Sequence, residues 1–153
     1  MNNEKKIVTE ILDCIESIIK NISKDNETIK SFRTRARDIP LYLFMRGPTY
    51  TMVYIAARSN VYILNKAFKA SNCEELIMSV IGRDQKFMRM GSDKKGYALY
   101  GAVVIYVLKR LNLIKAGSFT ELINETLNNP ALYSYLSAIS EWIKRFAEGY
   151  IEA

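Results

Sequence analysis

Residues 128–153 read NNPALYSYLSAISEWIKRFAEGYIEA, and this stretch decides the fold class. Asn129 is a typical N-cap, because its side-chain oxygen can accept a backbone N–H two or three residues later. Pro130 suits the first helical position. Apolar residues then recur at spacings of three and four, which is the period of one helix face: Leu132, Leu136, Ile139, Ile143, Phe146 and Tyr150, widened by Tyr135 and Trp142. The pattern predicts an amphipathic helix of about twenty residues that packs on a larger body.

The opposite face of this helix is charged. Glu141 and Arg145 stand four residues apart, as do Lys144 and Glu148. Acidic and basic side chains at this spacing are neighbours on a helix surface and stabilise it slightly. We expect both pairs to form.

Length and composition favour one helical domain. The chain has 153 residues, enough to bury a core without disulfides or metals, and contains only 3 Pro and 7 Gly. Hydrophobic residues make up 49% of it, which is typical of a soluble globular protein. We therefore predict an all-α fold, a single-domain bundle of six or seven helices over residues 1–153.

The first half of the chain contains four predicted helices. The first spans residues 4–22, and the second runs from about residue 27 to residue 46. Pro40 is expected to kink or split the second helix, since proline removes a hydrogen bond and crowds the preceding turn. Gly47-Pro48 ends it and starts a third helix that finishes near Arg58. Val61 to Asn65 is ambiguous between strand and helix, and its spacing favours a helix.

The second half begins less regularly. Asn72 can cap a short helix through Ile81, and residues 82–96 are expected to form a mobile loop or a short extra element, with Arg83 among its basic residues. Residues 97–115 are apolar nearly all round, which predicts a central buried helix. Ser118 can cap the next helix, with Glu121 completing a capping box.

No segment predicts membrane insertion or export. The N-terminus lacks the uninterrupted apolar region of a signal peptide. The longest apolar run, Tyr97 to Leu108, is twelve residues, whereas a spanning helix needs about twenty. We expect a cytoplasmic protein that does not contact a membrane.

Cys14 and Cys73 are the only cysteines and lie far apart in the sequence. Two isolated cysteines form neither a zinc-site pattern nor a disulfide framework. We expect both to be core thiols in a reducing cytosol.

The composition excludes most catalytic machinery. The chain has no histidine, so serine–histidine and cysteine–histidine nucleophiles and histidine metal sites are impossible. The acidic pairs Asp13/Glu16 and Glu74/Glu75 are more typical of solvated helix faces than of metal or acid–base sites. We predict no catalytic residue, no metal site and no cofactor.

A glycine-rich loop at residues 91–96, GSDKKG, has the glycine spacing of a phosphate-binding P-loop. The Lys and Ser/Thr that should follow are replaced by Tyr97 and Ala98, which disfavours a nucleotide site. Lys94 and Lys95 could still touch a phosphate at the start of the next helix.

Positive charge is concentrated in the middle of the chain. Residues 30–115 carry 16 Lys and Arg against 5 Asp and Glu, whereas residues 1–29 carry 4 against 6 and residues 116–153 carry 2 against 5. A basic middle between acidic ends suits a partner that carries phosphates. A solubilising surface is the alternative.

Three of the basic residues share one helix face. At 100° per residue, Lys30, Arg33 and Arg37 fall within about 60° of one another, opposite the apolar face. Arginines one turn apart present donors along a line, which suits a run of phosphates. Nearby tyrosines could offer stacking faces: Tyr42, Tyr50 and Tyr54. The alternative is a solvated helix face with core tyrosines.

Two segments resemble a known family. Residues 37–47, which begin RDIP and end RG, continue through residues 50–57 in a helix–Pro–helix–Gly–helix pattern. Residues 141–147, EWIKRFA, combine an acidic residue, two aromatics and a Lys-Arg pair near the C-terminus. Together with residues 97–101 they are similar to the small all-helical subunit of the type III-B (Cmr) CRISPR RNA-targeting effector complex. Residues 59–93 have no counterpart and are expected to be a family-specific insertion.

The resemblance implies a non-catalytic structural subunit of an antiviral ribonucleoprotein. It would stack along the complex beside the repeated backbone subunits, the large subunit and other copies of itself, and help line the groove for the guide–target RNA duplex. The candidate RNA contacts are Lys30, Arg33, Arg37, Arg58, Lys144 and Arg145. The alternative function is a stand-alone basic helical protein that binds nucleic acid non-specifically.

Overall fold

The computed structural model describes residues 2–82 and 85–153. Within these ranges the chain forms eight α-helices and no strand: α1 (Asn2–Ile22), α2 (Asn26–Arg58), α3 (Val61–Asn65), α4 (Cys73–Ile81), α5 (Gln85–Met88), α6 (Ser92–Arg110), α7 (Phe119–Asn128) and α8 (Ala131–Tyr150). A 3-10 turn, Lys66–Phe68, follows α3. The all-α prediction is confirmed, and the expected six or seven helices are close to the observed number.

Helix α6 is the centre of the bundle, as its apolar sequence predicted. Every residue from Gly96 to Leu108 is buried, and α2 packs along it more extensively than any other helix does. Two glycines permit this close approach. A methyl group on Gly96 would collide with Ser31 of α2, and one on Gly101 would lie 2.8 Å from side-chain atoms of Ile55 and Leu64.

The boundaries of α6 differ from the prediction. It begins at Ser92, five residues early, and ends at Arg110 rather than at residue 115. The helix ends early because Asn112 adopts a left-handed conformation, with a φ of 57°, and the N–H of Leu113 donates to the carbonyl of Leu108 at 2.9 Å. The carboxylate of Glu125 in α7 accepts the backbone N–H groups of Lys115 and Ala116 at 2.9 and 2.7 Å, so these groups are satisfied outside the helix.

Helix α2 joins two predicted helices. The chain stays helical through Pro40, so of the two expected outcomes at that residue the split is wrong, and the kink stays a prediction. The interruption falls at Gly47, whose φ of 85° and ψ of 175° are not helical. Only glycine adopts this conformation readily, which explains why Gly47-Pro48 marks the break.

Side-chain caps start several helices as predicted. Asn72 accepts the N–H of Glu75 at 2.8 Å, and Asn129 accepts that of Ala131 at 3.1 Å. Ser118 accepts the N–H of Glu121 at 3.3 Å. The Glu121 carboxylate, however, takes the N–H of Gly117 at 2.9 Å, one residue earlier than a capping box requires.

The stripe on α8 is buried for most of its length. Leu132, Leu136, Ile139 and Ile143 are at most 4% exposed. In the last turns of α8 the buried face is rotated relative to the predicted stripe. Ala147 and Ile151 are buried, whereas Phe146 is half-buried and Tyr150 is 49% exposed.

The two predicted charge pairs on α8 differ in outcome. Glu141 and Arg145 lie 4.0 Å apart, as expected. Glu148 pairs with Arg145 at 3.2 Å, and no ion pair with Lys144 forms within the described ranges.

The prediction that both cysteines are free thiols is wrong. Cys14 of α1 and Cys73 of α4 form a disulfide, with their Cα atoms 4.9 Å apart. Packing of α1 against α4 brings the two residues together, within the distance that a disulfide spans. Spacing in the sequence could not reveal this.

Residues 59–82 and 85–93 are part of the folded body. Leu64, Leu76 and Val80 are fully buried in the common core. The irregular stretch after Gly82 contains α5, a short extra element as expected, while Arg83 lies outside the described residues. That this region is specific to the family stays a prediction. None of the described helices has the length and apolar character needed to cross a bilayer.

Candidate nucleic-acid interface

The predicted basic stripe on α2 is only partly available at the surface. Lys30 is exposed. Arg33 is half-buried, and its Nε donates a 2.9 Å hydrogen bond to the backbone carbonyl of Ile151. Arg37 is exposed but pairs with Asp38 at 2.9 Å. Arg33 is therefore less available than Lys30, because the C-terminal segment packs beside α2, and RNA contact by these three residues stays a prediction.

Of the other predicted contacts, Lys144 and Arg145 lie on α8, and Arg58 is the last residue of α2. Arg145 is held by Glu141 and Glu148, and the adjacent Lys144 is half-buried. Arg58 is exposed at the far end of α2 from Lys30. Four of the six candidates lie on α2 and two on α8, so RNA contact through all of them would extend over two helices.

A second cluster contains four tyrosines, and we call it the tyrosine cluster: Tyr42, Tyr50, Tyr54 and Tyr97. The rings of Tyr50 and Tyr54 are stacked at 6.0 Å with an angle of 18° between their planes. Tyr42 and Tyr97 meet Tyr54 edge-on, at 5.1 and 5.9 Å.

Three arginines lie over these rings. The guanidinium carbon of Arg46 is 3.9 Å from the ring centroid of Tyr50, and that of Arg58 is 5.3 Å from that of Tyr54. Arg35 lies 4.6 Å over Tyr97. These are cation–π distances. None of the three arginines forms an ion pair with a carboxylate in the described part of the chain.

The sequence revealed only part of this arrangement. Tyr42, Tyr50 and Tyr54 were predicted only as possible stacking faces, and the contacts between their rings are seen in the structure. The spacing of four from Tyr50 to Tyr54 to Arg58 is a signal that places all three on one helix face. Tyr97 comes from α6, and no local pattern indicates its contact with α2.

Electrostatics in the cluster follow from burial and hydrogen bonding. Burial, the largest cause, raises the pKa of Tyr97 to about 12, so its hydroxyl is neutral at pH 7. A hydrogen bond from Tyr97 is the main cause that lowers the pKa of Tyr54. The Nε of Arg35 is buried without a hydrogen-bond acceptor. The three arginines of the cluster thus lack a carboxylate ion pair within the described residues, although the negative charge of Asp38 acts on Tyr42.

A basic cleft begins directly after Arg58. It has a volume of about 370 Å³. The described residues that line it include none with a carboxylate: Ser59, Asn60, Lys86, Arg89, Met90, Gly91 and Lys94. Lys94 and Lys95, which the sequence placed in a glycine-rich loop, lie in the first turn of α6. Lys94 lines the cleft, whereas Lys95 pairs with Asp25 at 3.6 Å.

The acidic pair Glu74/Glu75, considered above as a chemical site, has structural partners. The carboxylate of Glu74 accepts hydrogen bonds from Ser17 at 3.0 Å and Asn21 at 3.2 Å. That of Glu75 accepts the backbone N–H of Ser71. Across residues 2–82 and 85–153, no group of three or more His, Cys, Asp or Glu side chains is placed to hold a metal ion.

Comparison with known proteins gives one informative similarity. The chain is 30% identical to the CRISPR system CMR subunit Cmr5 of Saccharolobus solfataricus over 128 residues, which are 80% of this chain and 75% of that protein. No family model matches the chain. No solved structure gives a significant match.

Proposed function

The chain belongs to the Cmr5 family of CRISPR CMR subunits, and we propose that it is a non-catalytic structural subunit of an RNA-guided CRISPR effector complex. The observation that carries this proposal is the similarity itself, which extends over 80% of the chain. The basic middle of the sequence supports a partner that carries phosphates.

The proposed place in the complex is a stack of copies beside the repeated backbone subunits and the large subunit. Three neighbouring apolar side chains on α2 support a protein contact: Leu41, Phe44 and Met45 are 57%, 75% and 68% exposed. Exposed apolar patches of this kind mark interaction sites. We propose that the next copy of the chain covers this patch, with the acidic ends of one copy, residues 1–29 and 116–153, against the basic middle of the other. Such a head-to-tail contact can repeat along a filament.

The proposed RNA contact is made to phosphates of the guide–target duplex. Three of the six candidates form no ion pair in the described part of the chain, so they can bind a phosphate without first losing a carboxylate partner: Lys30, Arg58 and Lys144. Arg33, Arg37 and Arg145 would have to exchange an internal partner for a phosphate. Affinity from phosphate contacts weakens steeply as salt rises, because cations compete for the strand.

Purification from the native host tests the assignment. A tagged full-length chain should co-purify with several other subunits and a short guide RNA, and native mass spectrometry of the particle should show its copy number. Recovery of the chain alone, with heterogeneous nucleic acid, would instead support a stand-alone basic binding protein.

A further inference from the structure

One face of α2 carries two stacked aromatic rings with a guanidinium group at each end. Tyr50, Tyr54 and Arg58 follow at intervals of four, and Arg46 reaches across the break at Gly47 to lie on Tyr50. We call these four residues the Arg–Tyr ladder: Arg46, Tyr50, Tyr54 and Arg58. Its two rings stack on each other, and its two ends are arginines.

Both end arginines keep hydrogen-bond donors for a ligand, although Arg58 also donates a hydrogen bond to the Tyr54 hydroxyl. A guanidinium that lies over an aromatic ring uses its face for that contact, whereas its five N–H groups point outward in the plane. Arg46 and Arg58 are exposed, and neither forms an ion pair within residues 2–82 and 85–153. Arg37 and Arg145 differ in this respect, since each already has a carboxylate partner.

The tyrosines also limit the freedom of the arginines. A free arginine side chain loses rotamer entropy when it binds a phosphate, and a side chain already held on a ring loses less. Lysine lacks the planar group that stacks in this way. The arginine side chains of the ladder are therefore pre-organised before a ligand binds.

We infer that the Arg–Tyr ladder binds the phosphates of an RNA strand, and that the strand continues into the basic cleft beside Arg89 and Lys94. From Tyr50 to Arg58 the helix rises about 12 Å, which corresponds to roughly four nucleotides of one strand. The cleft adds basic side chains immediately after Arg58. The choice of RNA as the strand rests on the proposed function.

Binding of a fluorescein-labelled oligouridine to the full-length chain, followed by fluorescence anisotropy over a range of salt concentrations, tests the inference. Arg46→Ala should weaken binding about tenfold and reduce the slope of log K against log salt by about 0.7, the value for one lost contact to a single strand. Arg58→Ala should reduce the slope similarly. Arg110→Ala is the matched control, because Arg110 is exposed, lies outside the ladder and pairs with Glu10; it should leave both quantities near wild type.

Variants that keep the net charge separate the ladder from general basicity. Tyr50→Leu removes the ring under Arg46 and should weaken binding severalfold, while Tyr50→Phe keeps the ring and should not. Arg46→Lys should fall between wild type and Arg46→Ala. Circular dichroism establishes that each variant is folded.

Three outcomes would overturn the inference. They are absence of RNA binding by the wild-type chain at low salt, equal losses for Arg46→Ala and Arg110→Ala, and unchanged affinity for Tyr50→Leu. If the ladder variants bind RNA normally but the chain still enters a guide-RNA particle, the inference fails and the proposed function stands. If the chain enters no such particle, the proposed function fails, and the anisotropy result still decides the ladder.

Discussion

The Nε of Arg33 donates a 2.9 Å hydrogen bond to the backbone carbonyl of Ile151, close to the C-terminus. Ile151 itself is buried and follows the last turn of α8. An arginine that the sequence placed on an outward basic stripe thus helps to join α2 to α8.

Arg33→Ala should lower the free energy of unfolding by about 1 kcal/mol, the net value of a half-exposed hydrogen bond. Urea denaturation followed by circular dichroism measures this change. Arg37→Ala is the matched control four residues away, and it should leave the urea midpoint unchanged, because exposed ion pairs contribute little. Equal midpoints for the two variants would contradict a structural role for Arg33.

Lys30 and Arg37 remain on the outer surface of α2, so they test the predicted stripe without disturbing α8. The double variant Lys30→Glu and Arg37→Glu should weaken RNA association and leave the circular dichroism spectrum intact. The physical reason is that each substitution replaces attraction to phosphates by repulsion. Unchanged RNA association of the folded double variant would remove this stripe from the interface.

Much of the fold could be predicted because the relevant information is local. Asparagine and serine caps, the apolar period of α8 and the nearly continuous apolar run of α6 each specify a helix through interactions within a few residues. Pro40 was misleading for a physical reason. A proline costs one hydrogen bond and a steric clash. The segments of α2 before and after Pro40 both pack on α6, through Ser31 and Ile55, and this packing can offset the cost.

Long-range relationships account for what the sequence did not reveal. The disulfide between Cys14 and Cys73 depends on how α1 and α4 pack, and the contact of Tyr97 with the tyrosine cluster depends on how α6 lies on α2. The hydrogen bond from Arg33 to Ile151 spans 118 residues. Helical periodicity places a residue on a face but does not identify which neighbour covers that face.

The disulfide closes a long loop, since its cysteines are separated by 59 positions in the sequence. In the chain-entropy model, cross-linking a loop of this length stabilises the fold by about 4 kcal/mol. The double variant Cys14→Ala and Cys73→Ala should therefore unfold at a clearly lower urea concentration than the oxidised wild type.

Reductant provides the control for this prediction. Dithiothreitol should lower the stability of the wild type toward that of the double variant and should not affect the variant. Thiol titration of the denatured, unreduced wild type should detect no free cysteine. Two free thiols per chain would contradict the disulfide.

Gly96 marks the closest approach of α6 to α2. The added methyl group of Gly96→Ala would meet the side chain of Ser31 and lie 2.8 Å from its backbone carbonyl carbon. The helices would have to move apart, at a cost of about 1–3 kcal/mol. Gly149→Ala is the matched control on α8, where the new methyl group meets open space and should raise stability by up to about 1 kcal/mol. Thermal unfolding should show opposite shifts for the two variants.

Asp25 caps α2, and its ionisation should make part of the stability depend on pH. The hydroxyl of Thr28 donates to its carboxylate at 2.7 Å, and this bond is the largest cause that lowers the pKa of Asp25 below its ordinary value of 3.8. The Thr28 backbone N–H and Lys95 act in the same direction. Because the folded-state pKa is the lower one, the stabilisation is fully present well above pH 3.8 and disappears as the pH falls through the folded-state value.

Asp25→Asn isolates this effect, because asparagine can still cap the helix but carries no charge. At pH 7 the variant should melt below the wild type, and the difference between the two melting temperatures should shrink as the pH falls below about 3.8. Differential scanning calorimetry from neutral to acidic pH measures both curves. A difference that stays constant over this range would mean that the capping geometry alone, and not the charge of Asp25, stabilises the start of α2.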